Sequence, residues 1–223
     1  SLEAAVVDAE VVFVAAPVGV LPETVAAVLR ATPEGCVVTD VGSTKRSVVE
    51  AIDDPRFVGG HPLAGAETSG VEHARADLFQ DAVWYLTPTA HATGTLFERL
   101  HRLLRELGAR PHAIDAATHD TMLAAVSHLP HVLANVLVAQ AARALEAESE
   151  QLPATGPSFR DATRVAGANS AIWTDIYLAN RDALIERIDE TTKRLAEVRA
   201  LLEAGDAAGV TAWNEAARAD RQR

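Results

Sequence analysis

The sequence is poor in several features that mark particular classes of protein. A single cysteine, Cys36, excludes a disulfide within the chain and fits a reducing compartment. Lysine and arginine form no cluster of the kind that holds nucleic acid. The formal net charge of −11 repels both nucleic acid and an anionic membrane surface. A small anionic substrate stays possible, because a local pair of arginines can outweigh a distant net charge.

No targeting or membrane-spanning segment is expected. Residues 1–10 hold three acids and no base, unlike a signal peptide. The most apolar stretch, residues 122–142, contains two histidines, two amides, a serine and a proline, which a bilayer would disfavour. We therefore expect a buried helix in a soluble, cytoplasmic protein. With 48% hydrophobic and 23% charged residues, the chain has the composition of a folded protein.

The first half of the chain alternates between β-branched apolar runs and helical spacing. The apolar runs predict buried strands near residues 11–15, 36–41, 57–60, 84–87 and 109–114. Helical spacing lies between them, near residues 22–30, 45–52 and 96–107. This alternation predicts a doubly wound parallel α/β sheet of the Rossmann type.

The second half is helical, with no convincing strand after Ile114. One helix is predicted over residues 118–148, bent near Pro130 and buried on most sides because it is apolar on most sides. Another starts at residue 169 or 170 and runs to about residue 204, where Gly205 stops it. A helix this long favours packing against a second subunit. We therefore expect an α/β domain over residues 1–114 and an all-α domain over residues 115–223.

Two predicted strand ends carry the residues best placed for chemistry. The segment Gly59-Gly60-His61-Pro62 leaves a strand at the edge where open α/β sheets bind ligands. His61 is therefore a candidate base, and the alternative is an incidental histidine in a glycine-rich turn. Ser43 also follows a strand, and it is either a helix cap or a ligand to a bound molecule.

Three histidines are concentrated in the first long helix. His119, His128 and His131 lie in a stretch that has no lysine or arginine between positions 110 and 143. A lone buried histidine is usually a satisfied core residue, but three together favour a site. Zinc held by His61, His128, His131 and a carboxylate is a rival interpretation. Because the sequence has no His-Glu-x-x-His pattern and no cysteine ligand set, no metal is expected.

A second candidate site lies between the two long helices. Arg160 and Arg164 are four residues apart, on one face if that segment is helical. Arginine pairs bind carboxylates, but a solvated pair neutralised by Asp161 is equally consistent. By default Trp173 anchors the core, and Glu67 is an exposed acid in a turn.

Six segments together resemble the prephenate and arogenate dehydrogenase family. They are Ala-Ala-Pro-Val at 15–18, Asp-Val-Gly-Ser-Thr-Lys at 40–45, Gly-Gly-His-Pro-Leu-Ala-Gly-Ala-Glu at 59–67, His-Asp at 119–120, Ser-His-Leu-Pro-His at 127–131, and Phe-Arg-Asp-Ala-Thr-Arg at 159–164 with Trp173. Each segment is weak alone, but the set is specific in order and spacing. The resemblance covers nearly the whole chain.

The resemblance implies a Rossmann domain, a helical dimerisation domain, and oxidative decarboxylation of prephenate or arogenate with NAD or NADP. It implies that His61 accepts the proton of the ring hydroxyl, that Ser43 holds the same hydroxyl, and that Arg164 clamps the ring carboxylate. Substrate contacts are implied for Ala66, Glu67, His131, Arg160, Asp161, Arg164 and Trp173. Cofactor contacts are implied for Ala16, Pro17, Val18, Val41, Gly42 and Ser43.

The sequence also departs from the family pattern. The family opens with a strand and a Gly-x-Gly-x-x-Gly motif that binds pyrophosphate, and this sequence has no such motif. We expect a chain that lacks the start of its nucleotide-binding domain and binds a dinucleotide weakly or not at all as it stands. Arg160 stands at a position where the family has a lysine. We expect no regulatory domain after the helical half and therefore no feedback carried by such a domain.

Alternatives remain for both the class and the substrate. Arg160 and His131 favour prephenate over arogenate. A metal-dependent hydrolase that uses the histidines and a non-catalytic dimeric scaffold are the rival classes. The expected partners are a small-molecule substrate and a second copy of the chain, with neither nucleic acid nor a membrane.

Overall fold

The structure, a computed structural model, describes residues 1–65, 70–146 and 155–222. Its strands are β1 (Val11–Val14), β2 (Val37–Asp40), β3 (Phe57–Pro62), β4 (Val83–Pro88) and β5 (Arg110–Ala113). The helices of this half are α1 (Leu2–Val6), α2 (Leu21–Ala31), α3 (Arg46–Ala51) and α4 (Gly94–Glu106). All five predicted strands are confirmed, whereas the pattern did not predict α1.

The strands form one sheet in the order β1-β2-β3-β4-β5. The Rossmann-type α/β class is confirmed, but the sheet is mixed where a parallel one was predicted. Strands β1, β2 and β3 are parallel, β4 is antiparallel to β3, and β5 is parallel to β4. A parallel neighbour needs a crossover, usually a helix. In the described part of the link from β3 to β4, the only helical turn is the 3₁₀ turn Val71–His73, so β4 returns antiparallel.

Helices cover both faces of the sheet. Neighbouring strand residues point to opposite faces, so each strand contributes side chains to two cores. Val38 and Phe57 join the core under α2 and α3, where Val25 and Val48 are buried. Their neighbours Val37 and Val58 face the other way and pack in a second core. That second core contains Trp84, Leu86, Leu96, Leu100 and Leu104. The central strands are therefore buried on both faces and carry continuous apolar runs.

Gly60 is needed where β3 passes close to β2, next to His61. A Cβ atom at Gly60 would lie 2.5 Å from the backbone oxygen of Asp40 and 2.7 Å from Oγ1 of Thr39. Gly60→Ala is therefore expected to lower the free energy of unfolding by about 1–3 kcal/mol, measured by urea denaturation. Gly35→Ala is the matched control, because a Cβ there meets no atom within 4 Å. Equal stability of the two variants would contradict this close approach.

The second half contains six α-helices within the described residues. They are α5 (Ala116–Leu123), α6 (Leu129–Glu146), α7 (Pro157–Thr163), α8 (Ser170–Ala179), α9 (Arg181–Glu203) and α10 (Ala207–Arg221). A short π-helical segment, Ala124–His128, joins α5 to α6 just before Pro130. The predicted interruption of the first long helix is therefore confirmed. The sequence pattern did not predict α10.

The second long helix is not continuous, contrary to the prediction. It divides at Asn180, whose φ of −117° and ψ of 28° are not helical. The side chain of Asn180 is fully buried, and its Nδ2 donates to the backbone oxygen of Asp120 at 2.7 Å. The helix is therefore interrupted where Asn180 binds the backbone of α5. The predicted end at Gly205 is confirmed, since its φ of +62° favours glycine.

The first long helix is also less buried than predicted. Its first part is buried at His119, Asp120 and His128, but Val136, Leu137 and Val138 are exposed. By length and composition alone, residues Ala116–Ala144 could cross a membrane, with a mean hydropathy of 1.6. The polar residues of the first part instead pack against the sheet half through the contacts between α5 and α3. The apolar side chains of α6 at positions 136–138 are therefore exposed on this chain.

Candidate active site

Two cavities meet at the carboxyl ends of β1, β2 and β3, and they share Ser43, His61, Pro62 and Ala64. The first, of about 440 Å³, is almost entirely apolar. Its other lining residues are Phe13, Ala15, Val41, Leu78, Phe79, Trp84 and Leu107. The second, of about 310 Å³, lies against the helical half. Its other lining residues are Leu63, Leu123, Val126, Ser127, His128, Trp173 and Ile176.

His61 lies between these cavities and is the penultimate residue of β3. It pairs with Tyr85 across the sheet, and only 8% of its surface is exposed. Burial lowers the pKa of His61 well below its ordinary value, and the nearby His119, Lys45 and His128 lower it further. At neutral pH the imidazole is therefore uncharged and can accept a proton.

A chain of hydrogen bonds leads from His61 into the helical half. Its Nδ1 lies 2.9 Å from Nε2 of His119, and Nδ1 of His119 lies 2.8 Å from Oδ1 of Asp120. The carboxylate of Asp120 also accepts the backbone N–H groups of Lys45 at 2.8 Å and Arg46 at 2.9 Å. Asp120 therefore binds the start of α3 and the second histidine at the same time.

A buried ion pair organises the loop that carries Ser43. Asp40 and Lys45 form a salt bridge with both side chains fully buried. Burial lowers the pKa of Lys45, and the adjacent Asp40 opposes that effect. Asp40 also accepts the backbone N–H groups of Gly42 at 2.8 Å and Gly60 at 3.1 Å. One carboxylate thus fixes the segments on which both Ser43 and His61 lie.

His128 is a buried polar residue that the helical half places, together with Ser127, at the second cavity. It is 1% exposed, and its Nδ1 lies 3.2 Å from the amide nitrogen of Asn180. Since an amide nitrogen only donates, Nδ1 accepts and the proton of the neutral ring lies on Nε2. Burial lowers the pKa of His128 to about 4. A neutral hydrogen-bond donor therefore lies next to the second cavity.

The low pKa of His128 predicts a loss of stability in acid. Because the unfolded chain binds a proton near pH 6.5 and the folded chain only near 4, this stability is fully present above the unfolded value and is lost as the pH falls. Between about pH 7 and about pH 5 the loss is roughly 2 kcal/mol. Urea denaturation at the two pH values measures it.

His128→Gln should remove about this share of the loss, while His61, whose pKa is also lowered, keeps its own contribution. The exposed His112→Gln should leave the pH dependence unchanged. Besides burial, three neighbouring groups affect the pKa of His128: Asp120 raises it, whereas His119 and His131 lower it. An unaltered slope in His128→Gln would show that other groups account for the acid sensitivity.

The predicted substrate residue His131 lies behind the cavity wall. Its ring stacks on Trp173 with centroids 3.6 Å apart and planes 4° apart, and its Nδ1 contacts the hydroxyl of Tyr177 and the amide of Asn135. His131 lines neither cavity, whereas Trp173 lines the second. A direct contact between His131 and substrate stays a prediction, and its present contacts fix the indole of Trp173.

Three other predicted substrate residues, all among the described residues, are not brought to the cavities. Arg160 and Asp161 lie exposed on α7, and Arg164 is exposed at the start of a 3₁₀ turn, Arg164–Gly167. None of the three lines either cavity. Ala66 and Glu67 lie outside the described residues. Their substrate contacts therefore stay predictions.

The predicted cofactor residues divide into two groups. Val41 and Ser43 line the first cavity. Gly42 lies beneath it, where a Cβ would come within 2.3 Å of Cδ1 of Leu21. At the end of β1, the cavity is lined by Ala15, whereas Ala16 is half-buried, Pro17 is exposed and Val18 belongs to the core.

Four residues that the geometry joins to the site were given no catalytic or substrate-binding role from the sequence, although His128 was considered as a zinc ligand. They are His119 with Asp120, and His128 with Asn180, each pair joined by a hydrogen bond. The only sequence signal was the concentration of histidines in one apolar helix. Within the described ranges, no group of three or more histidine, cysteine or acidic residues is placed to hold a metal ion.

The mixed α/β sheet and the helical half define a two-part protein with a nucleotide-binding fold, and comparison with known proteins identifies the family. Residues 2–113 match the model of the prephenate dehydrogenase nucleotide-binding domain, and residues 115–214 match that of its dimerisation domain. The chain belongs to the prephenate dehydrogenase family, which confirms the resemblance seen in the sequence.

Individual relatives agree with this assignment. The chain is 36% identical to a prephenate dehydrogenase of Bacillus subtilis over 77% of this chain and 47% of that protein. It is 35% identical to a cyclohexadienyl dehydrogenase of Zymomonas mobilis over 92% of this chain and 72% of that protein. The crystal structure of Aquifex aeolicus prephenate dehydrogenase superposes with a TM-score of 0.89 at 28% identity, covering 96% of this chain and 77% of that one.

The chain is shorter than these relatives. It spans 47% of the Bacillus subtilis protein and 61% of the prephenate dehydrogenase of Lactococcus lactis. The matched regions therefore establish the family and the fold of this chain, and the activity of the natural protein is a separate question.

Proposed function

We propose that the natural protein catalyses the oxidative decarboxylation of prephenate to 4-hydroxyphenylpyruvate in tyrosine biosynthesis, with NAD or NADP as hydride acceptor. The observation that carries this proposal is the buried, neutral His61 between an apolar cavity and a second cavity with polar groups. The reaction needs a base within reach of the substrate hydroxyl on one side and of a flat cofactor ring on the other.

The residues around the first cavity fit the nicotinamide end of a dinucleotide. Its walls are flat or small apolar side chains at the carboxyl ends of parallel strands, where open α/β sheets bind nucleotides. Phe13, Ala15 and Val41 would contact the ring and exclude water from it. A bound NAD or NADP supplies the hydride acceptor. A structural relative, the Aquifex aeolicus enzyme, has been crystallised with hydroxyphenyl propionate and NAD+.

His61 is proposed to carry the same proton away from the substrate oxygen and back to it. Its imidazole accepts the proton of the ring hydroxyl as the C–H bond at the same carbon breaks and hydride leaves. Loss of the ring carboxylate as carbon dioxide leaves its electron pair in the ring, which becomes aromatic. The phenolate oxygen then recovers the proton from His61. Ser43, which lines both cavities, would hold that oxygen in place.

The second cavity is proposed to hold the substrate against His61. Trp173 gives it a flat apolar wall, and the Nε2–H of His128 is a hydrogen-bond donor next to it. Further contacts, with the substrate carboxylates or at the mouth of the site, are proposed for Arg164, Arg160, Asp161, Glu67 and Ala66.

Prephenate is favoured over arogenate by the charge of this cavity. The two substrates differ by a ketone against an ammonium group on the side chain. Among the described residues that line the second cavity, none carries a carboxylate to pair with an ammonium. Arogenate remains the second candidate, because the chain superposes on a Synechocystis arogenate dehydrogenase with a TM-score of 0.83 at 25% identity, covering all of this chain and 81% of that one.

The protein is further proposed to act as a cytoplasmic homodimer whose chain divides near Ile114. The separate family models on the two sides of this residue support the division. Exposed apolar side chains on α6 and α9, among them Val136, Leu137, Leu195 and Leu202, support a subunit contact through the helical half.

The test is a turnover assay on the natural protein, with prephenate and arogenate each combined with NAD and with NADP. Formation of reduced nicotinamide is followed by its absorbance. Turnover with prephenate at least about tenfold faster than with arogenate is the expected result. Turnover of arogenate alone would overturn the substrate proposal, and no turnover in any combination by folded protein would overturn the reaction.

A further inference from the structure

We propose that His119 and Asp120 are positioning residues that hold His61 in the tautomer with a proton on Nδ1, so that its unprotonated Nε2 is the atom presented to substrate. The part of this inference that concerns catalysis rests on the proposed function. The part that concerns the tautomer does not, since it is a property of the protein without substrate.

Every recorded partner of the Asp120 side chain among the described residues is a hydrogen-bond donor. Its oxygens accept the backbone N–H groups of Lys45 and Arg46, which have no other role than donation. Both carboxylate oxygens of Asp120 therefore act as acceptors in this site. The third partner, Nδ1 of His119 at 2.8 Å, must therefore carry the proton of that ring.

The direction of the next hydrogen bond follows from the first. A neutral imidazole has one donor and one acceptor nitrogen, so Nε2 of His119 accepts. It lies 2.9 Å from Nδ1 of His61, which must then donate. The lone pair of His61 is thereby left on Nε2, the nitrogen that can act as a base.

The packing leaves His119 no alternative position. Its ring is fully buried, and it meets the rings of His61 and Tyr85 edge to face, with centroids 5.1 and 5.5 Å apart. Tyr85 is also the cross-strand partner of His61. Ring rotation would place a C–H group against Asp120 and break two buried hydrogen bonds, each of which is costly to lose.

The arrangement joins the two halves of the molecule. His61 belongs to the sheet, whereas His119 and Asp120 belong to α5, and Asp120 also binds the start of α3. The base therefore acquires its defined tautomer only when α5 is docked on the sheet. The carboxylate of Asp120 also lies one ring away from the developing imidazolium of His61, where it offsets the unfavourable charge of the nearby Lys45.

Among the recorded hydrogen bonds of the described residues, the side chains of Lys45 and Asp40 bind each other and make no bond to the rings of His61 or His119. Lys45 and Asp40 neutralise each other within their own buried salt bridge, and Tyr85 contributes a ring face and a hydroxyl that contacts Met122. The only recorded hydrogen-bond partner of His61 among the described residues is His119. Changing residue 119 therefore changes the one contact that defines the tautomer.

The experiment uses the natural protein with ¹⁵N-labelled histidine, whose nitrogen shifts report which nitrogen of each ring carries the proton. The wild type is expected to show His61 protonated on Nδ1 alone. In His119→Leu, which removes the acceptor, His61 should become a mixture of tautomers. In His119→Gln, whose side-chain oxygen can accept the same bond, the wild-type tautomer should be largely restored. His112→Gln, on the exposed face of β5, is the control.

Kinetics give the second readout. His119→Leu is expected to lower kcat by about 10- to 100-fold with KM for the ring substrate changed less than about twofold, and His119→Gln to recover most of the loss. The acid limb of the pH profile should move in His119→Leu and not in His112→Gln. If the leucine variant does not fold, His119→Asn replaces it, because its shorter side chain does not reach His61.

A folded His119→Leu or His119→Asn protein that keeps His61 protonated on Nδ1, or that keeps kcat and the pH profile of the wild type, would overturn the proposal. Failure of the proposed function appears separately, as a wild type that shows the defined tautomer and turns over neither ring substrate.

Discussion

Replacing His61 with asparagine is expected to lower kcat by about 10³-fold, with KM changed by less than about threefold. The reason is that the neutral imidazole supplies proton transfer, which contributes about 10²–10⁴-fold to such reactions. Its place is also defined by two cavities and one hydrogen bond to His119. Asparagine keeps a polar side chain of similar reach but cannot accept a proton at neutral pH. Steady-state kinetics on the natural protein, with the cofactor saturating, measures the effect.

The matched control for this variant is His112→Asn, an exposed histidine outside both cavities. It should keep the kcat and KM of the wild type. A His61→Asn protein with the wild-type unfolding midpoint and more than about a tenth of the wild-type kcat would remove the histidine from the role of base.

Asp40→Asn is expected to lower the free energy of unfolding by about 3–5 kcal/mol. The substitution leaves the ammonium of Lys45 buried without its counter-charge, and a broken buried pair costs this amount. The amide also cannot accept as well from the backbone N–H groups of Gly42 and Gly60. Urea denaturation measures the change, and the dependence of stability on urea should stay the same.

Two further variants separate the ion pair from a general loss of structure. Asp53→Asn removes an exposed acid whose recorded ion pair, among the described residues, is with His91, and it should change stability by less than about 1 kcal/mol. The double variant Asp40→Asn with Lys45→Met should be more stable than Asp40→Asn alone, because it removes the unpaired charge. A double variant that is less stable than Asp40→Asn would contradict the account of the pair.

The sheet could be predicted from the sequence because its central strands are buried on both faces. Runs such as Val37 and Val38, or Phe57 and Val58, have no polar alternation to obscure them. The direction of β4 could not be predicted in the same way. It depends on the link after β3, whose described part contains one 3₁₀ turn and no crossover helix.

The break at Asn180 could not be predicted from the sequence for a different reason. Asparagine is tolerated inside a helix, so the apolar periodicity continues across it. What ends α8 there is a set of hydrogen bonds to Asp120 and His128, which lie 60 and 52 residues away. Such tertiary contacts have no local signal in the sequence.

The candidate site was predictable only where its residues follow strands. His61 and Ser43 follow predicted strands, so their convergence on one edge of the sheet follows from the fold. The choice between His128 and His131 does not, because the π-helical segment Ala124–His128 changes which face of the helix each residue occupies. The role of His119 also depends on a contact with a residue 58 positions away.

Oxidative decarboxylation at this site is tested most directly by measuring carbon dioxide and reduced nicotinamide together, with the natural protein and prephenate as substrate. The two products are expected to form in equal amounts and at the same rate, and both rates should fall in parallel in His61→Asn. Release of carbon dioxide without reduced nicotinamide, or reduction without loss of carbon dioxide, would contradict oxidative decarboxylation at this site.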